Sequence, residues 1–334
     1  LQATMRVIWF CNLPWLCRTT IGMETTLTSI LVMLRLPLSG IALGVCTGML
    51  TGLFGAGGGF ILTPALNIFL GLPYNIAVGT STCQILAAST FALSHHLDRR
   101  LMGSRIACLV GLGVPVGTYF GVRVVNRLRG MGDISLFGRT MPGQDFCFTL
   151  IFCVFLTLIA GWLLYDNFWL RRGGAKTDDN HKGYLAWIRI PPMVAFRTVT
   201  SGAFSAPVLA MLGLCMGFMG GLLGIGGGVI MMPILFYLIG QETKYAALTS
   251  TMLVFATALF STVMHASAGN INYQLVAFLV VGAFIGTRVG GMLQRKLTGM
   301  SLRRYFAFVV LAAVIMVLCK LVSLITHAPL IGNA

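Results

Sequence analysis

Between Leu36 and Leu97 the chain contains no aspartate, glutamate, lysine or arginine, and the same holds from Thr198 to Gln241 and from Ala246 to Thr287. One helical crossing of a bilayer takes about 20 apolar residues, so each of these runs holds two or three membrane segments. The expected fold class is therefore an all-α polytopic membrane protein. Composition supports this, because 57% of the 334 residues are hydrophobic and only 9% are charged, which no water-soluble domain of this length shows.

The formal net charge of +15 would suit a nucleic-acid surface if the basic residues lay together on a soluble face. Instead they fall in loops between the apolar runs: Arg123, Arg127 and Arg129; Arg171, Arg172, Lys176 and Lys182; Arg295, Lys296, Arg303 and Arg304. That is the pattern of positive-inside topology, and it points to the lipid bilayer, not nucleic acid, as the partner. The expected location is the cell (inner) membrane. Acidic residues are few: Glu24, Asp98, Asp133, Asp145, Asp166, Asp178, Asp179 and Glu242, none in the middle of an apolar run. Cation pathways ordinarily present acidic side chains to the cavity, so an anion suits this chain better. The nine cysteines form no CxxC pair, and most lie in apolar segments where a thiol acts as a small hydrophobe.

Shifting the chain by 169 residues aligns Leu43 through Arg129 with Leu212 through Thr298 without a gap. "LGVCTGMLTGLFGAGGGFILTPAL" falls on "LGLCMGFMGGLLGIGGGVIMMPIL"; further on, Thr80-Ser81-Thr82 meets Thr249-Ser250-Thr251 and His96 meets His265. This reads as an internal duplication. It divides the chain into an N-terminal interfacial or membrane segment (1–37), membrane repeat 1 (38–165), a polar linker (166–205), membrane repeat 2 (206–327) and a C-terminal tail (328–334). Each repeat is expected to hold five segments: 38–54, 60–72, 77–96, 105–125 and 146–165 in the first, and 207–223, 229–240, 246–265, 273–292 and 305–326 in the second. An odd number of crossings would invert the second repeat relative to the first. Loop charge favours inversion: "LDRRLMGSR" at 97–105 is basic, whereas its counterpart "ASAGNIN" at 266–272 carries no charge. If each glycine-jointed pair were instead one broken helix, there would be eight crossings and parallel repeats.

Gly44, Gly48 and Gly52 recur every four residues, as do Gly213, Gly217 and Gly221, and Gly113, Gly117 and Gly121 with their partners. Such spacing puts small residues on one helix face and lets helices approach closely in lipid. The clusters at Gly55, Gly57, Gly58 and Gly59 and at Gly224, Gly226, Gly227 and Gly228 are different. Consecutive glycines unwind the backbone and leave amide N–H groups unpaired, which membrane depth tolerates only where the backbone is buried or lines a cavity. Each cluster precedes a short helical stretch carrying Pro64 or Pro233, read as first-turn prolines, so bare amides coincide with the positive end of a helix dipole. The alternative is a tight hairpin without a ligand. Thr80, Ser81 and Thr82, with Thr249, Ser250 and Thr251, either cap the next helix or donate to an anion's oxygens. Gln84 follows the first triplet, but Leu253 occupies the matching place, so any use of that amide is asymmetric. His96 and His265 are candidates for a proton relay, with interfacial residues as the plainer reading.

At these residues the sequence resembles the TauE/SafE sulfite exporter family, through the doubled "GxxxGxxxGLxGxGGGxxxxPxL" pattern followed by "GTST" and "LTST". The resemblance covers about 38–129 and 207–326. It implies a secondary transporter of a small sulfur-containing anion such as sulfite or an organosulfonate, driven by an ion gradient, with H+ or Na+ as the coupling ion. The expected mechanism is alternating access, with the amides of the two glycine breaks binding the anion. An anion-selective channel lined by the same amides is the alternative. A soft-metal carrier is a weaker one: 18 Met accompany the Cys and His residues, but no clustered motif binds a metal. No cofactor is expected and no enzyme, because "GAGGG" follows an apolar segment instead of a strand and neither HExxH nor GxSxG occurs.

Overall fold

The computed structural model describes residues 23–94, 104–136, 139–168, 191–195, 203–235, 239–240 and 243–327. By internal contacts the chain divides into Leu1–Ser39 and Gly40–Ala334. In the first unit the described backbone is helical from Met23 onward. The first 22 residues of the N-terminal segment expected at 1–37 lie outside the described residues, as do most of the linker and the C-terminal tail.

The order of elements is α1 (Met23–Phe54), α2 (Gly59–Phe69), α3 (Tyr74–Ser94), α4 (Ser104–Gly111), α5 (Val114–Arg129), β1 (Asp133–Leu136), β2 (Arg139–Pro142), α6 (Gly143–Phe168), β3 (Met193–Ala195), β4 (Ala203–Ser205), α7 (Ala206–Leu223), α8 (Gly228–Pro233), α9 (Thr243–Ser267), α10 (Tyr273–Lys296) and α11 (Gly299–His327). Hydrocarbon offers no partners to backbone N–H and C=O groups, so the apolar runs fold as helices that satisfy their own. Among the described residues, eight stretches are long and apolar enough to cross a bilayer: Pro37–Phe54, Tyr74–Ser94, Ile106–Arg129, Gly143–Tyr165, Ala206–Leu223, Tyr245–Ser267, Tyr273–Lys296 and Ser301–Thr326. The protein is thus an all-α polytopic membrane protein, and α2 is a shorter apolar helix between the first two of these.

Glycine faces decide which helices touch. On α1, Gly44, Gly48 and Gly52 lie against the backbone of Leu279, Ala283 and Thr287 on α10. In return, Gly282, Gly286 and Gly290 of α10 lie against Ile41, Val45 and Met49 of α1. The same exchange joins α5 to α7: Gly113, Gly117 and Gly121 meet Ala210, Leu214 and Phe218, while Gly217 and Gly221 meet Val114 and Thr118. Residue numbers rise together along both seams, so each pair runs parallel. Apolar surface gains nothing by leaving lipid for a neighbouring helix; close backbone approach supplies the packing energy instead.

Two further pairings set directions. Gly79 of α3 abuts Asn270, and farther along, the rings of Phe91 on α3 and Phe284 on α10 meet edge to face at 5.2 Å, so α3 and α10 are parallel. Asn75, at the start of α3, bonds Asn270, just beyond the end of α9, and Ile85 and Val254 both flank Gly57 and Gly226 midway along. Helices α3 and α9, whose sequences match at an offset of 169, therefore cross antiparallel. Aromatic rings fill the space beside the crossing: Phe54 lies 5.3 Å from Phe306 of α11, and Tyr74 stacks on Phe148 of α6 at 5.2 Å.

Several boundaries differ from those expected. Between the fourth and fifth segments of the first repeat, β1 pairs antiparallel with β2, Asp133 opposite Pro142 through Leu136 opposite Arg139. Within the linker, β3 pairs antiparallel with β4, Met193 opposite Ser205. Pro64 is not a first-turn proline: it is the sixth residue of α2, in the helix interior. Pro233 is the sixth residue of α8, likewise past the first turn; the backbone continues in a π-turn at Ile234–Leu235, and 236–238 lie outside the described residues. The Thr-Ser-Thr triplets are not caps either, because α3 begins at Tyr74 and α9 at Thr243, which puts both triplets in the second turn.

Candidate functional site

Both glycine joints fold alike. Gly55, Gly57 and Gly58 have φ of 67°, 81° and 60°, and Gly224, Gly226 and Gly227 have 68°, 70° and 73°. L-residues avoid this left-handed region, so a chain that must reverse here within a few residues requires glycine at these places. The two joints touch: Gly59 lies against the carbonyl of Gly224, and Gly228 against the backbone of Ala56. Residues 51–60 and 220–229 are buried throughout.

At these joints the backbone is unevenly satisfied. Gly58 and Gly227, the residues that open α2 and α8, receive no side-chain cap. Among the described residues, the amides of Ala56, Gly57 and Gly58 and of Ile225, Gly226 and Gly227 donate to no acceptor in the protein. The carbonyls fare better. Ser250 donates to Gly55 O at 3.0 Å; Ser81 Oγ lies 2.8 Å from Val78 O on its own helix and 3.2 Å from Gly224 O, with Thr63 Oγ1 3.4 Å from Gly224 O and 2.7 Å from Ser81 Oγ. Each serine comes from the helix that crosses against the other joint. The carbonyls of Gly55 and Gly224 thus have hydroxyls within reach, whereas the six amides have no acceptor among the described residues.

The other triplet hydroxyls serve the helices. Thr82 donates to Gly79 O, Thr249 to Tyr245 O and Thr251 to Ala247 O, each back along its own helix. Thr80 Oγ1 accepts the amide of Asn272 at 3.1 Å and so ties α3 to the start of α10.

Gln84 of α3 is wholly buried and donates through Nε2 to Thr47 Oγ1 at 3.2 Å. Thr47 in turn donates to Leu43 O at 2.7 Å, and its backbone lies against Gly58. Because the Thr47 hydrogen is committed to that carbonyl, its oxygen can only accept from Gln84, which fixes the orientation of the amide. Gln84 Oε1 then has no donor.

His265 is wholly buried near the end of α9. Its Nε2 lies 3.0 Å from Gly221 O and its Nδ1 3.3 Å from Asn270 Nδ2. A carbonyl only accepts and an amide nitrogen only donates, so this pair of neighbours selects the neutral ring with its hydrogen on Nε2. Asn270 also donates to Asn126 Oδ1 and accepts from Asn75, which accepts from Gln144, each at 3.1 Å. His96 lies outside the described residues. Sequence reasoning passed over Asn75, Asn126, Gln144 and Asn270, and also Thr47 and Thr63. The signal was available: Thr47 stands opposite Met216 and Thr63 opposite Met232 in the 169-residue alignment, polar against apolar at matched places.

Comparison with known proteins agrees with the motif. No solved structure matches the chain. It is 24% identical to the probable membrane transporter protein YunE of Bacillus subtilis, across 77% of this chain and 88% of the relative. It is also 24% identical to the probable membrane transporter protein YjnA of the same organism, across 82% and 96%. A third relative, the probable membrane transporter protein MJ0441 of Methanocaldococcus jannaschii, is 23% identical across 81% and 91%. The family model described as sulfite exporter TauE/SafE matches residues 40–317, and with the doubled glycine joints inside that range the chain belongs to this family of membrane transporters.

Proposed function

We propose that the protein exports a small sulfur-containing oxyanion, sulfite or an organosulfonate, across the cell membrane by alternating access, and that the anion sits where the two glycine joints meet. The observation that carries this is the set of buried amides without acceptors, Ala56 to Gly58 and Ile225 to Gly227, on two joints in contact. A buried N–H without a partner costs free energy, and an anion accepting from several of them removes that cost. Substrate-binding roles fall to Gly55, Gly57, Gly58 and Gly59 with Gly224, Gly226, Gly227 and Gly228. Ser250 contributes by donating to the carbonyl of Gly55, and Ser81 with Thr63 by placing hydroxyls beside the carbonyl of Gly224. Thr80, Thr82, Thr249 and Thr251 position the helices that carry those serines.

The two sequence repeats are best read as inverted. Matched helices α3 and α9 cross antiparallel, and the parallel seams α1–α10 and α5–α7 each join a first helix of one repeat to a fourth of the other. Counting α2 and α8 as returning half-crossings gives five segments per repeat. Rocking the halves about the two seams would open the joints to either face in turn. Loop charge agrees with inversion, since the stretch 97–105 is basic in sequence and its counterpart 266–272 carries no charge. Coupling to H+ or Na+ is part of the same proposal, with His96 and His265 as the histidines nearest in kind to a relay.

Proteoliposomes loaded with sulfite test the reading. Gly58→Val and Gly227→Val abolish efflux while the protein still inserts; efflux retained in both variants would refute the site.

A further inference from the structure

The joints share a backbone but differ in the side chains around it. Around the first stand Thr47, Thr51 and Gln84; their counterparts at the second are Met216, Gly220 and Leu253. Thr47 packs beside Gly58 as Met216 packs beside Gly227, so the substitution occurs at the joint itself. All three polar side chains are fully buried. Two of them are satisfied from within α1: Thr51 donates to Thr47 O, and Thr47 to Leu43 O. Gln84 is not, since Nε2 makes one hydrogen bond and Oε1 none. A buried amide oxygen without a donor is costly, and an apolar residue would have served packing equally well, as Leu253 does.

From this asymmetry we infer that Gln84 is the side chain that reads the substrate: it holds an oxyanion bearing one hydrogen, accepting that hydrogen at Oε1 while its free Nε2 hydrogen and the amides of Gly57 and Gly58 hold the charged oxygens. The helix that follows Gly58, α2, spans Gly59–Phe69 and carries no side-chain cap, so its dipole adds to the same seat. The second joint has the hydroxyls of Ser81 and Thr63 beside Gly224 but, with Leu253 at the matched place, no counterpart of the Gln84 amide. The ligand therefore has a fixed orientation, charge toward α2 and its remaining atoms toward Met216. This rests on the proposed function and deepens it. An acceptor and a donor on one planar amide suit hydrogensulfite, which presents both; a sulfonate such as methanesulfonate presents acceptors only.

Calorimetric titration of the full chain in detergent with sulfite and with methanesulfonate at neutral pH separates the possibilities. The wild type binds sulfite more tightly, Gln84→Leu weakens sulfite about tenfold, as expected for a lost hydrogen bond to a charged group, and brings it level with methanesulfonate. Leu253→Ala, at the matched position, keeps the preference. Should Gln84→Leu fail to fold, Gln84→Glu keeps the shape and the acceptor but adds a negative charge, and abolishes sulfite binding. Sulfite bound as well by Gln84→Leu or Gln84→Glu as by the wild type, or equal loss in Gln84→Leu and Leu253→Ala, overturns the inference while the proposed function stands. A wild type that binds neither anion overturns the proposed function and the inference with it.

Discussion

The Ser250 hydroxyl donates to the carbonyl of Gly55 at 3.0 Å, across 195 positions of sequence. At the matched place Ser81 lies 3.2 Å from Gly224 O but 2.8 Å from Val78 O on its own helix, and Thr63 stands 3.4 Å from Gly224 O and can donate to it. Ser250→Ala is expected to lower stability by about 1–3 kcal/mol, the cost of stranding a buried acceptor. Ser81→Ala costs less, and only with Thr63→Val added does the loss approach that of Ser250→Ala. Thermal unfolding midpoints of the purified variants in detergent check the order; equal losses for the two serines would contradict it.

The glycine seams predict a second contrast. A Cβ on Gly117 would run into Leu214 O, and one on Gly286 into Val45 O. Neither neighbour is a side chain that can swing aside, so Gly117→Ala and Gly286→Ala push helices apart and lower the melting temperature. At Gly161 of α6 and Gly291 of α10, an added methyl would have nothing within 4 Å of it. Replacing them by alanine removes a poor helix former at no steric cost and raises stability by about 0.5–1 kcal/mol. A melting series over these four substitutions distinguishes seam from lipid-facing glycine.

Asn270 is the node of the polar cluster, with direct bonds to Asn75 and Asn126 and a contact to His265. Asn270→Leu breaks all of them and strands partners on several helices, so it costs more than Asn126→Leu, which removes one bond. A double-mutant cycle between Asn75→Ala and Asn270→Ala is expected to show a coupling energy of about 0.5–3 kcal/mol, as residues in one buried network do. Additive losses would mean that the cluster does not act as a unit.

The membrane class and the helix faces that pack closely were legible because both follow from local rules, although which helices pair was not. Charge-free runs must span, and glycines four apart must face a close neighbour, as Gly48 faces Ala283. The positions of the breaks were legible for the same reason, since consecutive glycines cannot continue a helix. Side-chain roles were not. Ser250 reads as a cap until one knows that α9 begins at Thr243, seven residues earlier, and that Gly55 lies across from its second turn. Asn270 reads as a loop residue because its partners Asn75 and Asn126 are brought to it by the antiparallel crossing of α3 and α9 and by the end of α5. The hairpin at Asp133–Pro142 was missed because four-residue strands have too short a pattern to declare themselves.

The two joints also differ in how much they tolerate. Gly58 and Gly227 have nearly the same φ, 60° and 73°, so alanine at either position bears a similar backbone penalty of about 1–2 kcal/mol. Their neighbours are unlike. A methyl at position 58 meets the backbone carbonyl of Thr47 at 2.5 Å, inside helix α1, which cannot retreat without unbonding a turn. A methyl at position 227 meets first the Met216 side chain, at Cγ, and only then its backbone carbonyl at 3.2 Å, so an unbranched thioether must turn about χ1 to make room, but the helix backbone need not move as far. Gly58→Ala is therefore expected to lose sulfite efflux and several degrees of melting temperature, whereas Gly227→Ala keeps measurable efflux with a smaller shift. Adding Met216→Ala to Gly227→Ala should recover part of that shift, and no change in Met216 rescues Gly58→Ala. Efflux from proteoliposomes, normalised to inserted protein, is the deciding measurement: two alanine variants with the same loss would mean that the first joint owes nothing to its contact with Thr47.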